Sequence, residues 1–291
     1  MEGKARIGIT GGTGLYEMPE MEGAEEVGVD TPFGEPSDTY VRGKLSGVDV
    51  VFLSRHGRGH RLAAQFVNYR ANIYGFKSLG VDAILSVNAC GSMHEDLHPT
   101  DIVIPDQIYD NTTGRVSTFF TGCPAVHVDV ADPVCPVLAG LLYAAGKDVG
   151  AVVHKGGTYL CISGPAFSTR AESNIYRSWG VDVIGMTCAT EAKLAREAEI
   201  CYASISLVTD YDVWRDTAED VTADLIIANL LASAETAKRI LAEAVPGIPL
   251  SHACRCRNAL AEAVVTRPGA VPEEARVRLK LLLEKYLPPG T

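Results

Sequence analysis

Residues 181–208 have the sequence VDVIGMTCATEAKLAREAEICYASISLV, which contains two apolar runs on either side of a charged stretch. The first run, 181–186, and the last, 201–208, have the composition of strands that are buried on both faces. Between them, residues 189–199 are predicted to form a helix. A strand, a helix and a second strand in this order indicate an α/β layer structure.

The same alternation continues along the rest of the chain. Further strands are predicted at 6–10, 48–54, 81–87 and 158–163. Further helices are predicted at 65–79, 169–179, 221–245 and 273–286. Apolar residues within 65–79 recur at the three- and four-residue spacing of one helix face: Phe66, Tyr69, Ile73 and Phe76. Thr169 and Glu172 have the spacing of a capping box.

These elements predict an α/β fold with a single domain, in which helices flank a mixed, largely buried β-sheet on both sides. We expect residues 1–250 to form this domain. Residues 251–291 are predicted to be a C-terminal helical appendage of the same domain. Residues 105–130 show no clear periodicity and are predicted to be a long loop.

The composition is that of an ordinary globular protein, with 47% hydrophobic and 21% charged residues among 291. Lys and Arg number 26 against 36 Asp and Glu, so the net charge is −10. We therefore expect no nucleic-acid partner. Apolar runs fall short of the roughly 18 residues of a membrane helix, and the N-terminus lacks the apolar core of a signal peptide. We accordingly expect no membrane association and a cytoplasmic location.

Eight cysteines are present. Six are interpreted as buried thiols: Cys90, Cys123, Cys135, Cys161, Cys188 and Cys201. Cys254 and Cys256 form a C-x-C pair in a polar segment, close to His252. Two thiols and one imidazole lack the second ligand pair of a zinc module, so no metal site is predicted. A redox-sensitive pair and thiols without a role remain open.

Three loops rich in small residues follow predicted strands and carry anion-binding groups. Gly11 to Gly14 (GGTG) directs successive backbone N–H groups into one concavity, with Thr13 as a hydroxyl donor. Ser54 to His60 (SRHGRGH) adds arginine forks and imidazoles, and Ser86 to Ser92 (SVNACGS) is the third loop. Since ligands bind at strand ends in α/β sheets, these loops predict a site for phosphate or a phosphorylated ligand.

Asp210 and Asp212 follow the strand predicted at 201–208. A carboxylic acid at this strand end could protonate a leaving group. On spacing alone, however, a turn in which an aspartate caps the next element is the favoured interpretation. Glu191 is interpreted in the same way, as a carboxylate stabilised by a helix N-terminus.

The order of motifs resembles the trimeric purine nucleoside phosphorylase family and, within it, the branch that cleaves 5′-methylthioadenosine. The similarity covers about residues 7–244 and leaves out the tail. It is carried by the following motifs: GGTGL, VDTPFGEPSD, RHGRGH, VNYRANI, NACGS, DIVIPDQ, GPAFSTRAES, MTCATEAKLAREAEICYAS and TDYDVW.

The resemblance implies that a purine nucleoside is split by inorganic phosphate, which is a co-substrate, and that no cofactor is needed. It implies catalysis by Asp210 and Asp212. It places phosphate against these residues: Thr13, Arg55, His56, Asn88, Ala89 and Thr187. It places the nucleoside against these residues: Phe167, Ser168, Ile184, Met186, Asp210, Asp212, Ala223 and Ile226. His127 would reach the substrate of a neighbouring subunit, in a homotrimer or a hexamer of two stacked trimers.

Two positions bear on the choice of purine. The related 6-oxopurine enzymes have Asn where this chain has Asp210 and Glu where it has Ser168, so the pair favours adenine. Apolar Ala223 and Ile226 would favour a 5′-methylthio group, because burying an unpaired hydroxyl costs about 1–3 kcal/mol. Asn88 is instead typical of the 6-oxopurine branch.

Several alternatives remain open at this stage. Methylthioinosine, adenosine or a 6-oxopurine nucleoside could be the substrate, and water could replace phosphate as the nucleophile. The same fold could also serve as a non-catalytic nucleoside-binding module. Thr190 stands where the family usually has proline, which bears on the shape of the loop after Thr187.

Overall fold

The computed structural model describes residues 7–12, 14–15, 21–215, 223–249 and 254–287, and only the backbone of residues 223–226. The strands are β1 Ile7–Gly11, β2 Glu22–Val27, β3 Tyr40–Leu45, β4 Val48–Ser54, β5 Ala83–Ser92, β6 Ile102–Ile104, β7 Gln107–Asn111, β8 Val153–Lys155, β9 Thr158–Ile162, β10 Val183–Gly185 and β11 Cys201–Asp210. The α-helices are α1 Tyr69–Ser78, α2 Pro136–Asp148, α3 Arg170–Ser178, α4 Cys188–Glu197, α5 Ala223–Ala244, α6 Glu273–Arg278 and α7 Lys280–Leu283.

One mixed sheet of eleven strands runs through the described ranges, along the path β2-β3-β4-β1-β5-β10-β9-β7. β5 is its branch point. It lies parallel to β1 on one side and to β11 on the other, while its last residues, Gly91 and Ser92, pair with β10. β11 continues outwards through β6 to β8. Because β4, β1, β5 and β11 are parallel neighbours, their carboxyl ends meet at one edge of the sheet.

The two faces of the sheet carry separate parts of the core. Leu85 of β5 faces the layer of α2 and α5, whereas the preceding residue, Ile84, faces the layer of α1 and α4. This alternation follows from the two-residue period of a strand. With helices covering both faces, the predicted α/β fold class is confirmed.

The tail packs on the same body. Leu260, Leu279 and Leu283 lie in the core layer that also contains Phe76 of α1 and Leu194 of α4. The division of the chain at residue 250 stays a prediction. None of the described helices is long and apolar enough to cross a membrane.

Several predicted elements have different limits in the structure. The helix predicted at 65–79 begins at Tyr69, because Asn68 caps it by accepting a hydrogen bond from the Ala71 N–H. Phe66 therefore lies in a preceding 3₁₀ turn and is 70% exposed, so its predicted place on the buried face is wrong. The predicted loop at 105–130 contains β7, and the predicted tail helix is broken at Leu279 into α6 and α7.

The capping box predicted at the start of α3 is present. The Thr169 side chain accepts from the Glu172 N–H, and the Glu172 carboxylate accepts from the Thr169 N–H. These bonds fix the point at which the chain leaves the loop of Phe167 and Ser168 and enters the helix.

Candidate active site

A pocket of about 330 Å³ opens at the sheet edge where β1, β4, β5 and β11 end. This volume is within the range of small-molecule sites. The pocket brings together most of the site residues predicted from the sequence: Arg55, His56, Asn88, Ala89, Phe167, Ser168, Ile184, Met186, Thr187, Asp210 and Asp212. The predicted convergence of the strand-end loops is therefore what the structure shows.

An ion pair and several hydrogen bonds fix the Arg55 side chain at the pocket. Its side chain is 1% exposed, and its Nε donates to Glu191 Oε1 over 2.5 Å. Nη2 donates to Ser86 Oγ over 2.7 Å, and Nη1 donates to the Val87 carbonyl over 2.9 Å. Burial disfavours the guanidinium charge, but the attraction and hydrogen bonds of Glu191 outweigh it and raise the pKa of Arg55.

Glu191 has a role that its position in the sequence did not indicate. It lies in the first turn of α4, as predicted, but it is 2% exposed and is the counter-ion of Arg55. Its Oε2 also accepts from the hydroxyl groups of Ser86 and Tyr202, over 2.8 and 2.9 Å. The Glu191 carboxylate thus connects α4 to β5 and β11.

His56 lies on the pocket wall as a neutral imidazole. Its Nδ1 is 2.8 Å from the Leu62 carbonyl, and because a carbonyl only accepts, Nδ1 carries the proton. Burial, reinforced by the charge of Arg55, lowers the pKa of His56 to about 3. Nε2 is consequently left as a hydrogen-bond acceptor on the side of Gly12.

Three buried polar atoms on the pocket wall have no hydrogen-bond partner among the described residues: Asn88 Oδ1, Ser168 Oγ and Thr187 Oγ1. The Asn88 amide nitrogen is directed inwards, to Ser204 Oγ at 2.6 Å and Cys188 Sγ at 3.3 Å. Thr187 is the N-cap residue of α4, yet its hydroxyl makes no capping bond. Because an unpaired buried polar atom is costly, these atoms indicate the contact points of a polar ligand.

Asp210 and Asp212 also line the pocket. Asp210 accepts from the Thr209 hydroxyl over 2.6 Å and from the Asp212 N–H over 2.9 Å. Burial raises the pKa of Asp210 despite these bonds. Burial also raises the pKa of Asp212, opposed by a hydrogen bond from Ser173 and reinforced by the charge of Asp210. A carboxylic acid can thus persist here at a higher pH than for an ordinary aspartate.

The apolar part of the pocket combines buried and exposed residues. Ile184 is 5% exposed, whereas Phe167 is 66% exposed at the rim. Leu230, from α5, also lines the pocket; it could not be predicted from the sequence because it is one apolar residue among many on a long helix.

Arg115 also contributes to the site, although it was not predicted from the sequence. Its Nη1 donates to the Met186 carbonyl over 2.6 Å, and its Nη2 donates to the Ser163 carbonyl over 2.7 Å. It therefore ties together two loops of the pocket wall. It lies in the segment predicted to be an irregular loop, where sequence periodicity carries no signal.

Four predicted site residues are not among the described residues that line this pocket. Thr13 lies outside the described residues, as do the side chains of Ala223 and Ile226. His127 lines a separate surface depression with Asp129 and Arg196. Its predicted contact with the substrate of another subunit stays a prediction.

Comparison with known proteins gives consistent matches along the chain. Residues 6–246 match the family model of the phosphorylase superfamily. The S-methyl-5′-thioadenosine phosphorylase of Koribacter versatilis is 53% identical over 283 residues, which are 97% of each chain. The similarity therefore extends into the tail, beyond the motifs that indicated it.

Solved structures agree with this match. A methylthioadenosine phosphorylase from an antarctic soil metagenomic library has a TM-score of 0.92 at 48% identity, covering 97% of this chain and 100% of that one. Methylthioadenosine phosphorylase from Schistosoma mansoni in complex with adenine has a TM-score of 0.83 at 36% identity, covering 90% and 99%. The chain belongs to the phosphorylase superfamily and, within it, to the family of the S-methyl-5′-thioadenosine phosphorylases.

Proposed function

We propose that this protein cleaves S-methyl-5′-thioadenosine with inorganic phosphate, giving adenine and 5-methylthioribose 1-phosphate. One observation carries the proposal. A single pocket is lined by the buried Arg55, by three unpaired polar atoms and by Asp210, a carboxyl group of raised pKa. The named relatives support the same reaction.

The phosphate lies at the end of the pocket formed by β1, β4 and β5. Thr187 donates its unpaired hydroxyl, and the Ala89 backbone and Thr13 complete the cradle. Nη1 of Arg55 faces Gly12 and carries two N–H groups. One N–H group donates to the Val87 carbonyl, and the other donates to phosphate. His56 Nε2 accepts the remaining P–OH hydrogen, which a neutral imidazole can do and an imidazolium cannot.

Asn88 binds the same anion after its amide group is turned over. Oδ1 then accepts from Ser204 Oγ, and the NH₂ group takes the position of the unpaired oxygen. The two orientations place atoms of nearly equal size at the same points, so the exchange needs no movement of neighbours. An N–H donor is complementary to phosphate, whereas a carbonyl oxygen would repel it.

Asp210 supplies the proton that lets the purine leave. As a phosphate oxygen forms its bond to C1′, the C1′–N9 bond breaks and its electron pair passes to the purine. Asp210 in its acid form protonates N7, so adenine departs neutral. Asp212 accepts a hydrogen bond from the 6-amino group or orients Asp210.

Positive charge develops on the sugar in the transition state, and the bound phosphate dianion stabilises it at close range. Holding phosphate and nucleoside in line converts an encounter of two solutes into a reaction within one complex. Phosphate is the nucleophile and Asp210 the acid, so the proposed reaction uses no organic cofactor and no metal ion.

The remaining pocket residues hold the nucleoside. Phe167, Ser168 and Ile184 contact the purine, and Met186 lies against the ribose. Ala223 and Ile226 form the apolar wall around the methylthio group. His127 reaches the 5′ end of a neighbour's substrate in a homotrimer, or in a hexamer of two stacked trimers.

The test is base release by the purified full chain from four nucleosides: 5′-methylthioadenosine, 5′-methylthioinosine, adenosine and inosine. Each is incubated with and without phosphate. We expect adenine release that requires phosphate and is fastest from methylthioadenosine. Equal release without phosphate would make the protein a hydrolase, faster inosine cleavage would reassign the purine, and binding without release would make it a binding module.

The oligomeric part of the proposal has its own measurement. Light scattering on the eluting protein should give a mass of three or six times 31.0 kDa. His127→Ala should then raise the KM for the nucleoside without changing this mass. A monomer with full activity would contradict the shared site.

A further inference from the structure

Four cysteines from three distant parts of the chain form one cluster: Cys135, Cys201, Cys254 and Cys256. Their Sγ atoms all lie within 4.8 Å of one another. Cys135 is the N-cap of α2, Cys201 begins β11, and the C-x-C pair belongs to the tail. The tail pair therefore does have a second pair of ligands, which sequence spacing could not reveal.

The spacing of the sulfurs matches a mononuclear metal site. Four thiolates around a tetrahedral Zn²⁺, each about 2.3 Å from the metal, lie roughly 3.8 Å apart. The Sγ atoms of Cys201 and Cys254 are 3.3 Å apart, well beyond the about 2.05 Å of a disulfide bond. Small movements of side chains would therefore complete a tetrahedron.

The surroundings suit a site of negative charge. Cys135, Cys201 and Cys256 are at most 3% exposed within the core layer of α2 and α5, so three of the four cysteines are shielded from water. The N-terminal end of the thirteen-residue helix α2 faces the cluster through Cys135. A helix N-terminus stabilises negative charge and so favours thiolates, which are the form that binds metal.

We propose that Cys135, Cys201, Cys254 and Cys256 bind one structural Zn²⁺ ion that fastens the C-terminal segment to α2 and β11. Four protein ligands leave no open position, as is typical of structural and not catalytic zinc. Binding displaces the thiol protons, so one Zn²⁺ replaces up to four H⁺ and the centre carries a net charge of −2. Cys254, which is only partly buried, provides the route of entry.

Zinc is favoured over other metals by the ligand set. Four soft sulfur donors in a tetrahedron are typical of zinc or of iron–sulfur centres, whereas magnesium, calcium and manganese prefer oxygen. None of the four cysteines lines the pocket where the substrate is proposed to bind. Zinc binding can therefore be tested separately from the proposed phosphorolysis.

The first test is elemental analysis of the purified full chain after expression in zinc-supplemented medium. We expect about one zinc per chain, falling below about a tenth in the double variant Cys254→Ser/Cys256→Ser. Cys123→Ser is the matched control, because Cys123 lies outside the cluster, and it should keep its zinc. Zinc retained in the double variant, or iron in place of zinc, would overturn the assignment.

A second test needs no variant. The wild-type protein is stripped with a chelator under reducing conditions and titrated with Zn²⁺ against a chromophoric chelator, then with Co²⁺. We expect one tight site, the visible absorption of tetrahedral cobalt thiolate, and a higher melting temperature with zinc. No metal uptake, or thiol titration of the unfolded, unreduced protein showing disulfides among these cysteines, would overturn the proposal.

Discussion

Arg55, which lines the pocket, forms a buried ion pair with Glu191, with 2.5 Å between Nε and Oε1 and side-chain exposures of 1% and 3%. The two residues lie 136 positions apart in the chain. The pair joins the loop after β4 to the first turn of α4, whose N-cap is Thr187. The phosphate end of the pocket therefore depends on a carboxylate that does not itself touch the proposed ligand.

Removing the charge of Glu191 should destabilise the whole protein. Glu191→Gln leaves the guanidinium of Arg55 buried without a counter-ion, which typically costs about 3–5 kcal/mol. We expect a loss of this size in the free energy of unfolding, measured by urea denaturation. The KM for phosphate should rise as well, because Arg55 loses its fixed orientation.

The matched control is the same substitution in an exposed ion pair. Glu26 and Arg58, whose side chains are 56% and 53% exposed, form such a pair. Glu26→Gln should change the free energy of unfolding by less than about 1 kcal/mol. Equal losses in the two variants would mean that the buried pair is no stronger than a surface one.

The neutral state of His56 predicts a pH dependence of stability. Its pKa is about 3 in the folded protein and 6.5 as the unperturbed value, so only the unfolded chain gains a proton between these limits. The stabilisation by neutral His56 is complete above pH 6.5 and decreases as the pH falls towards about 3. In His56→Gln, the slope of unfolding free energy against pH should decrease by up to about 1.4 kcal/mol per unit in this window. Parallel curves for the variant and the wild type would show that His56 has the same pKa in the folded and unfolded states.

Asp210→Asn should lower adenine-nucleoside turnover more than 6-oxopurine-nucleoside turnover. Asparagine cannot protonate N7, and loss of a general acid typically costs roughly a hundredfold or more in kcat. The raised pKa adds a second readout, since activity should fall as rising pH removes the proton from Asp210. The variant should lose this part of the pH profile.

The control for Asp210 is Asp96→Asn, a substitution at a carboxylate that is 87% exposed. It should leave both kcat and the pH profile unchanged. If Asp210→Asn lowers turnover equally on both classes of nucleoside, Asp210 does not select the purine.

Phe167 should matter for binding and not for folding. Its side chain is 66% exposed, so Phe167→Ala removes little core packing and should change the free energy of unfolding by less than about 0.5 kcal/mol. Stacking of a base on an aromatic ring contributes about 1–3 kcal/mol, so the KM for the nucleoside should rise roughly tenfold. Initial rates at varied nucleoside and varied phosphate separate the effects, and a rise in the KM for phosphate instead would contradict the purine contact.

The sequence predicted best the elements whose pattern is local. β4 has the limits expected, 48–54, because β-branched and apolar residues form its whole length. β2 was missed because its residues, EGAEEV, are almost all exposed at an edge of the sheet and carry no apolar alternation. α2 was missed as well, although it packs against α5 in the core.

The position of the candidate site at one edge of the sheet could also be predicted. Parallel strands place their carboxyl ends at one edge, so loops such as 54–60 and 86–92 had to converge once the α/β class was known. Which atoms of these loops point into the pocket could not be predicted. That depends on partners from elsewhere, such as Leu62 for His56 and Ser204 for Asn88.

By itself, the sequence determined the α/β class, the order of most strands and helices, and the residue types that gather at the strand ends, because these depend on local periodicity and turn chemistry. Only the tertiary structure decided that Glu191 neutralises Arg55 and that Cys135 and Cys201 join the C-x-C pair. The reason is physical. Buried charges and thiols are satisfied by whichever groups the packed layers bring within a few ångströms, and separation along the chain does not encode that distance.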